Sequence, residues 1–300
     1  MKKVTKALSI VLLVVLLTMT GCSKRQIDED TGQAYIENIF CKPTSSELIE
    51  TYEKNGIDLT ELPDCSDFNL TTGGYEGLWT SFIVKPLSYL ILKIGNLVNN
   101  YGLAVLILSI VIRLAMLPMT MKTAMQSENM KKVKPKLDKL EKKYAGKTDE
   151  QSVMMKSQEM MLIYRENNIN PFGSCLFAFL QLPIFMGFIE AIYRVPIFFE
   201  SEFLTLKLGT TASQALAVGQ YQYLIVVVLI VGATIISFRN MNGSMDSSQE
   251  SQMKVMLYMM LGMIAIASFQ LPVAIGLYWV TSSIFTLIQN FIVKRKYGHN

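Results

Sequence analysis

The sequence predicts an all-α polytopic membrane protein, and three observations carry that prediction. Of 300 residues 51% are apolar, and the mean hydropathy is +0.32, high for a soluble chain. Several apolar runs are long enough to cross a hydrocarbon core of about 30 Å as helices. A lysine-rich segment follows the first long run, and Lys294, Arg295 and Lys296 follow the last, the pattern expected of the cytosolic side. The same inventory excludes other classes. One histidine, His299, and four widely separated cysteines leave no His/Cys metal cluster and no Cys/His nucleophile pair, and no Ser/His, Asp/Asp or HExxH arrangement is present. The chain is read as a non-enzyme that needs no cofactor and no metal.

Taken in order, residues 1–21 read as a signal peptide, with Lys2, Lys3 and Lys6 ahead of an apolar core and a small residue before Cys22. The segment resembles a bacterial lipoprotein signal, in which Cys22 becomes the lipidated first residue; the alternative is an uncleaved anchor. Residues 22–76 form an acidic extracytoplasmic segment, with twelve Asp or Glu against four Lys or Arg from Ser23 to Glu76. It is too short for a substantial core, and Cys41 and Cys65 share an oxidising compartment where a disulfide is open to them. Across 77–98, Trp79, Ile83, Leu87, Leu90, Ile94 and Leu97 fall on one helical face, opposite Ser81, Lys85, Ser88 and Asn96. That amphipathic pattern predicts an external helix lying in the membrane interface.

A five-span core is expected over 99–293. Its first span, 102–121, carries one charge, Arg113, which near the middle of a helix costs roughly 2.5 to 3.5 kcal/mol on insertion scales. Ser109, Met116 and Thr120 share the face of Arg113, and apolar residues cover most of the rest. Snorkelling to an interface, or pairing within a packed bundle, is the alternative to a functional role. Residues 122–168 follow as a cytosolic helical hairpin with eleven Lys or Arg and seven Asp or Glu, broken at Tyr144, Ala145 and Gly146. Thr148 with Gln151 predicts a capping box for its second helix. Met125, Met130, Met154, Met155, Met160 and Met161 supply adaptable apolar surface, unless the hairpin's charge merely sets topology. Spans at 172–193, 221–238, 255–269 and 273–293 complete the core, the third of them short for an average bilayer. A short basic tail, 294–300, ends the chain inside, and the signal and the tail agree on orientation.

Trp279, Ser282, Ser283, Thr286 and Asn290 repeat at spacings of three and four on the last span, and Gln181 places an amide in the second. Such groups are ordinarily interhelical glue. Glue does not account for Arg113, because Glu190, the one carboxylate within a span, lies near the outer end of its helix. A hydrated groove around Arg113, open to the cytosol and lined by Ser109, Thr120, Gln181, Trp279, Ser283 and Thr286, is therefore expected. A small-solute or anion transporter using Arg113 as a binding site is the alternative, without paired groups for ion coupling and without a visible repeat.

Three blocks, YGLAVLILSIVIRLAMLPMT (101–120), INPFGSCLFAFLQLPIFMGF (169–188) and LPVAIGLYWVTSSIFTLIQN (271–290), resemble the YidC-type membrane protein insertases of bacteria. The resemblance runs from Trp79 to the C-terminus, and the signal and five spans are similar to the Gram-positive lipoprotein branch. It implies an insertase and chaperone in the plasma membrane that receives nascent membrane proteins in a groove holding Arg113 and releases their helices into lipid, without nucleotide hydrolysis. It further implies work either alone or beside the Sec translocon; the ribosome is a partner of relatives with a long basic tail, and the short tail KRKYGHN speaks against a direct ribosome tether. No specific nucleic acid is expected. In physical terms, a polar client segment entering a wet groove avoids part of its desolvation cost, and burial of its apolar helix in lipid drives release.

Overall fold

The computed structural model describes residues 25–27, 34–170, 173–242 and 247–297. The predicted signal peptide and Cys22 lie outside the described residues. The chain divides into two compact units: one takes residues up to 109 with 181–226 and 270–278, the other 110–180, 227–269 and 279–300.

In the first unit, β1 (Arg25–Ile27) pairs antiparallel with β2 (Ala34–Ile36), and α1 (Ser46–Lys54) follows. Ser45 caps α1 by accepting from the Leu48 amide at 3.3 Å. The acidic segment, expected to lack a substantial core, folds around a small one: Ile39, Leu48 and Tyr52 are buried, with Ile57, Leu59, Leu62 and Phe199 packed against them. A disulfide joins Cys41 and Cys65. Burial pushes the Tyr52 phenol well above its ordinary range.

Helix α2 starts at Gly77–Trp79, passes through a π-helical turn at Thr80–Val84 and continues as Lys85–Val98. The helix is amphipathic, but its polar residues do not all face outward: Val84, Ile91 and Leu92 are buried as in a soluble helix, and so are two polar residues. Lys85 and Ser88 are fully buried against protein, while Leu90 and Leu97 are exposed. Trp79 is buried, apart from those leucines, because the extra residue of the π turn rotates everything downstream by about 100° relative to it. Protein groups satisfy the Lys85 ammonium, whereas the Ser88 hydroxyl is buried with no hydrogen-bond partner among the described residues and Asn96 is exposed. Among the described residues three helical stretches are long and apolar enough to cross a membrane, Gly77–Val98, Tyr101–Lys143 and Val273–Lys296, with shorter apolar stretches at Tyr221–Ser237 and Leu257–Gln270.

Helix α3 (Tyr101–Lys143) is continuous over 43 residues despite Pro118 and Pro135, about 65 Å at 1.5 Å per residue. The first span and the first arm of the basic hairpin are thus one element. In the second unit α3 turns at Gly146, whose φ of 77° suits glycine, into α4 (Glu150–Glu166). Asp149 caps α4, accepting from the Ser152 amide, one residue beyond the expected Thr148. A carboxylate is favoured there because it also meets the helix dipole. Val133, Leu137 and Ile169 form the hairpin core, with Met130 and Met160 partly buried beside it.

Helix α5 (Gly173–Arg194) leads to the short α6 (Ile197–Glu200), the two-stranded β3 (Glu202–Phe203) and β4 (Leu206–Lys207), and α7 (Ala212–Ala217), whose start carries a Thr211–Gln214 capping box. Helix α8 (Leu224–Asn242), α9 (Ser247–Gln270) and α10 (Val273–Tyr297) complete the chain. The predicted span 255–269, short in apolar length, thus belongs to a helix of 24 residues. The first amides of α10 find partners in the first unit: Val273 donates to the Thr210 carbonyl at 3.1 Å and Ala274 to that of Leu208 at 3.0 Å.

Candidate functional site

Helix α3 offers lipid an apolar surface of Ile107, Ile110, Val111, Leu114 and Met119, all exposed. Arg113 interrupts that run and is half-buried. Its predicted companions behave differently from one another. Thr120, also in the second unit, is buried and donates to the Leu117 carbonyl at 3.1 Å and to Gln289 Oε1 of α10 at 3.0 Å. Ser109, in the first unit, is fully buried and donates to the Val105 carbonyl at 2.6 Å.

The polar stripe of α10 divides in the same way. Trp279 is half-buried and donates through Nε1 to Thr234 Oγ1 of α8 at 3.3 Å, a hydroxyl that itself donates to the Ile230 carbonyl. Thr286 turns its hydroxyl to the Ser282 carbonyl at 2.9 Å, and it and Ser283 are half-buried. The Ser282 hydroxyl is buried with no hydrogen-bond partner among the described residues. One turn further, Asn290 and Lys294 line a notch of about 180 Å³ with Ser127, Glu128 and Lys131 of α3.

Gln181, in the first unit, donates to the Tyr278 hydroxyl at 2.8 Å, and the Tyr278 ring stacks on Phe188 with centroids 4.4 Å apart. Of the seven predicted groove residues, Ser109, Thr120 and Gln181 therefore spend hydrogen bonds on packing. Arg113, Trp279, Ser283 and Thr286 are the ones left half-buried within the second unit. Gln289, Thr234 and Tyr278 were not anticipated. Gln289 lies three residues after Thr286 and extends the same stripe, a signal present in the spacing.

A charged cluster in the first unit was also missed. Lys85 Nζ donates to the Thr72 and Gly74 carbonyls at 2.7 and 2.6 Å and lies 2.8 Å from Glu76 Oε1. Gly73 and Gly74, at φ 68° and 67°, shape the turn that presents those carbonyls. Arg194 pairs with the other Glu76 oxygen at 2.6 Å and with Glu190 at 3.6 Å, and Trp79 Nε1 donates to Glu190 at 2.7 Å. Glu190 is thus engaged by Trp79 and Arg194. Burial alone would raise the Glu76 carboxyl, but hydrogen bonds and charge from Lys85 and Arg194 together hold it below the ordinary carboxylate range.

On the hairpin, Lys143 lies 2.6 Å and the Tyr144 hydroxyl 2.8 Å from Glu159, and both hydrogen bonds lower the Glu159 carboxyl. Val153, Met154, Met155, Met161 and Leu162 of α4 are exposed. The predicted methionine surface is therefore real at Met154, Met155 and Met161, while Met130 and Met160 serve the hairpin core.

Comparison with known proteins places this architecture. The family model described as 60Kd inner membrane protein matches residues 93–300. The chain is 32% identical to a "Membrane protein insertase YidC" of Oceanobacillus iheyensis, across 79% of this chain and 92% of that protein. It is 34% identical to "Membrane protein insertase YidC 2" of Bacillus anthracis, across 77% and 87%, and 32% identical to "Membrane protein insertase MisCA" of Bacillus subtilis, across 72% and 79%. In fold it is similar to a crystal structure of active YidC insertase with the first transmembrane domain resolved, at a TM-score of 0.51 and 22% identity, covering 83% of this chain and about half, 53%, of that one. The long apolar helices, the basic hairpin and these matches agree: the chain is a multi-pass membrane protein and belongs to the 60Kd inner membrane protein family, that of the YidC-type membrane protein insertases.

Proposed function

We propose that the chain inserts nascent membrane proteins by receiving their polar segments beside Arg113 and releasing their apolar helices sideways into lipid. The observation that carries this reading is the half-buried Arg113 on a helix whose flanks are dressed for lipid, in the same unit as the half-buried Trp279, Ser283 and Thr286. A cation at that depth costs about 2.5 to 3.5 kcal/mol unless water or protein solvates it. Solvation by water gives an entering acidic or polar segment the same shelter. Five crossings put the hairpin 122–168 and the basic tail in the cytosol and the segment 34–76 outside. The helix 77–98, with Leu78, Leu90 and Leu97 exposed, then lies in the outer interface. The apolar stretch Leu257–Gln270 of α9 covers about 20 Å at 1.5 Å per residue, and so favours a locally thinned bilayer. The exposed methionines of α4 offer clients a first contact.

The test is complementation of an insertase-depleted cell with Arg113→Ala, Arg113→Lys and Arg113→Glu, scored by insertion of a single-span client. Activity kept by the lysine form and lost by the alanine and glutamate forms is expected if positive charge is what matters. Wild-type activity in the glutamate form would overturn the proposal. Single cysteines at Ser283 and Thr286 should react with a water-soluble maleimide added from the cytosolic side, and one at the buried Ser109 should not; inert positions 283 and 286 would remove the water-filled route.

A further inference from the structure

We infer that residues 34–76 are a clamp on the first half of α2 and the C-terminal end of α5, and that a dithiol oxidation supplied from outside the chain completes it. The inference rests on the proposed orientation, which puts this segment in an oxidising compartment. The clamp grips α5 and its continuation at two places. The Phe40 amide donates to the Arg194 carbonyl at 2.9 Å, and the Arg194 guanidinium lies 3.8 Å over the Phe40 ring while its Nε donates to the Asn38 carbonyl. Glu200 accepts from the Thr44 and Ser45 amides at 2.6 and 2.7 Å and from the Thr44 hydroxyl. The grip on α2 is the fully buried Lys85, whose three acceptors, Thr72, Gly74 and Glu76, all belong to the end of this segment.

The cross-link sits where the grip is made. Cys41 lies between Phe40, which meets Arg194, and Thr44 and Ser45, which meet Glu200, and its partner Cys65 follows Asp64, which bridges to Lys42. The Lys42 amide also donates to the Pro63 carbonyl at 2.9 Å. The segment buries a handful of large side chains, Ile36, Ile39, Phe40, Leu48, Tyr52 and Phe68, and a core that small does not ordinarily hold so short a stretch folded by itself. The disulfide, closing a separation of 24 residues, supplies the missing constraint. In the oxidation each cysteine loses a proton and the pair loses two electrons as the sulfur–sulfur bond forms. The acceptor is a disulfide of a thiol oxidoreductase, which leaves as two thiols.

The test uses the full chain in detergent micelles, with alkylation mass spectrometry for the thiols and amide hydrogen exchange for the grip. Cys41 and Cys65 should resist alkylation until a phosphine reductant is added. Reduction should then speed exchange at Phe40, Thr44 and Ser45 by about a hundredfold, the scale of opening that such a cross-link opposes. Amides of the hairpin core at Val133 and Leu137 serve as the unchanged reference. Cys41→Ser with Cys65→Ser should reproduce the reduced behaviour. Glu200→Gln should keep the disulfide yet loosen Thr44 and Ser45 more than Phe40. Free thiols at both positions in wild-type protein whose clamp amides are protected would overturn the oxidation step, and unchanged exchange after reduction would overturn its role in the clamp. Neither readout involves client insertion, so an oxidised chain that fails to insert clients would count against the proposed function alone.

Discussion

Replacing Lys85 with methionine should destabilise the protein by about 3 kcal/mol, the lower end of the range for removing one partner of a buried ion pair. The side chain is fully buried and its ammonium spends all three donors, on two backbone carbonyls and Glu76. Methionine keeps the volume and removes all three. The Thr72 and Gly74 carbonyls lose a donor, and Glu76 is left with Arg194 as its remaining ion-pair partner. The estimate stays at the lower end because the Glu76 side chain is 31% exposed and water can replace part of what is lost. Equilibrium unfolding in mixed micelles would read the change. Adding Glu76→Gln should cost less in the Lys85→Met background than in wild type, since the two groups touch. A loss under about 1 kcal/mol, typical of a surface substitution, or additivity of the two changes, would refute the view of this cluster as a buried, mutually satisfied network.

Other consequences can be checked in the same preparations. Gly187→Ala would bring a Cβ within 2.4 Å of Ile83 Cγ2, a stiff β-branched neighbour on α2; a cost of about 1 to 3 kcal/mol is expected from overpacking, again by unfolding. Because folding holds the Glu76 carboxyl below its ordinary titration range, its contribution is complete above that range and is lost as pH falls through the folded value. An acid titration of stability should therefore lose an increment in that low window, and Glu76→Gln should abolish the increment. Crosslinkers at Met154 or Met161 should capture a client earlier in a time course than one at Trp279. Changing Met154, Met161 and Leu162 to serine should slow that first capture without altering hairpin stability, since all three are exposed.

How much of this was legible beforehand depends on the range over which each signal acts. The run 102–121, the break at Gly146 and the spacing of Trp279, Ser283 and Thr286 are local periodicities, so they could be read along the chain. The cap of α4 moved by one residue, from Thr148 to Asp149, because neighbouring residues compete for the same amide. How the acidic segment folds was not legible along the chain, because its small core borrows Phe199 and its polar groups borrow Arg194 and Glu200, all more than a hundred residues away. Helix α2 was amphipathic as expected, yet no periodicity says that Lys85 faces protein while Leu97 faces outward.

Within the candidate site, residue order alone marked the cation in an apolar helix and the polar stripe of α10, since the cost of a charge in lipid and the turn of a helix are properties of the chain. Which of these polar residues on α3 and α10 are occupied, as Thr120 is by Gln289 and Trp279 by Thr234, was settled in three dimensions. A side chain's hydrogen-bond partner comes from another helix, and the choice among helices is made by packing. The same reason explains Glu190: its type and depth were visible, while its engagement by Trp79 and Arg194 exists once α2 and α5 are folded together.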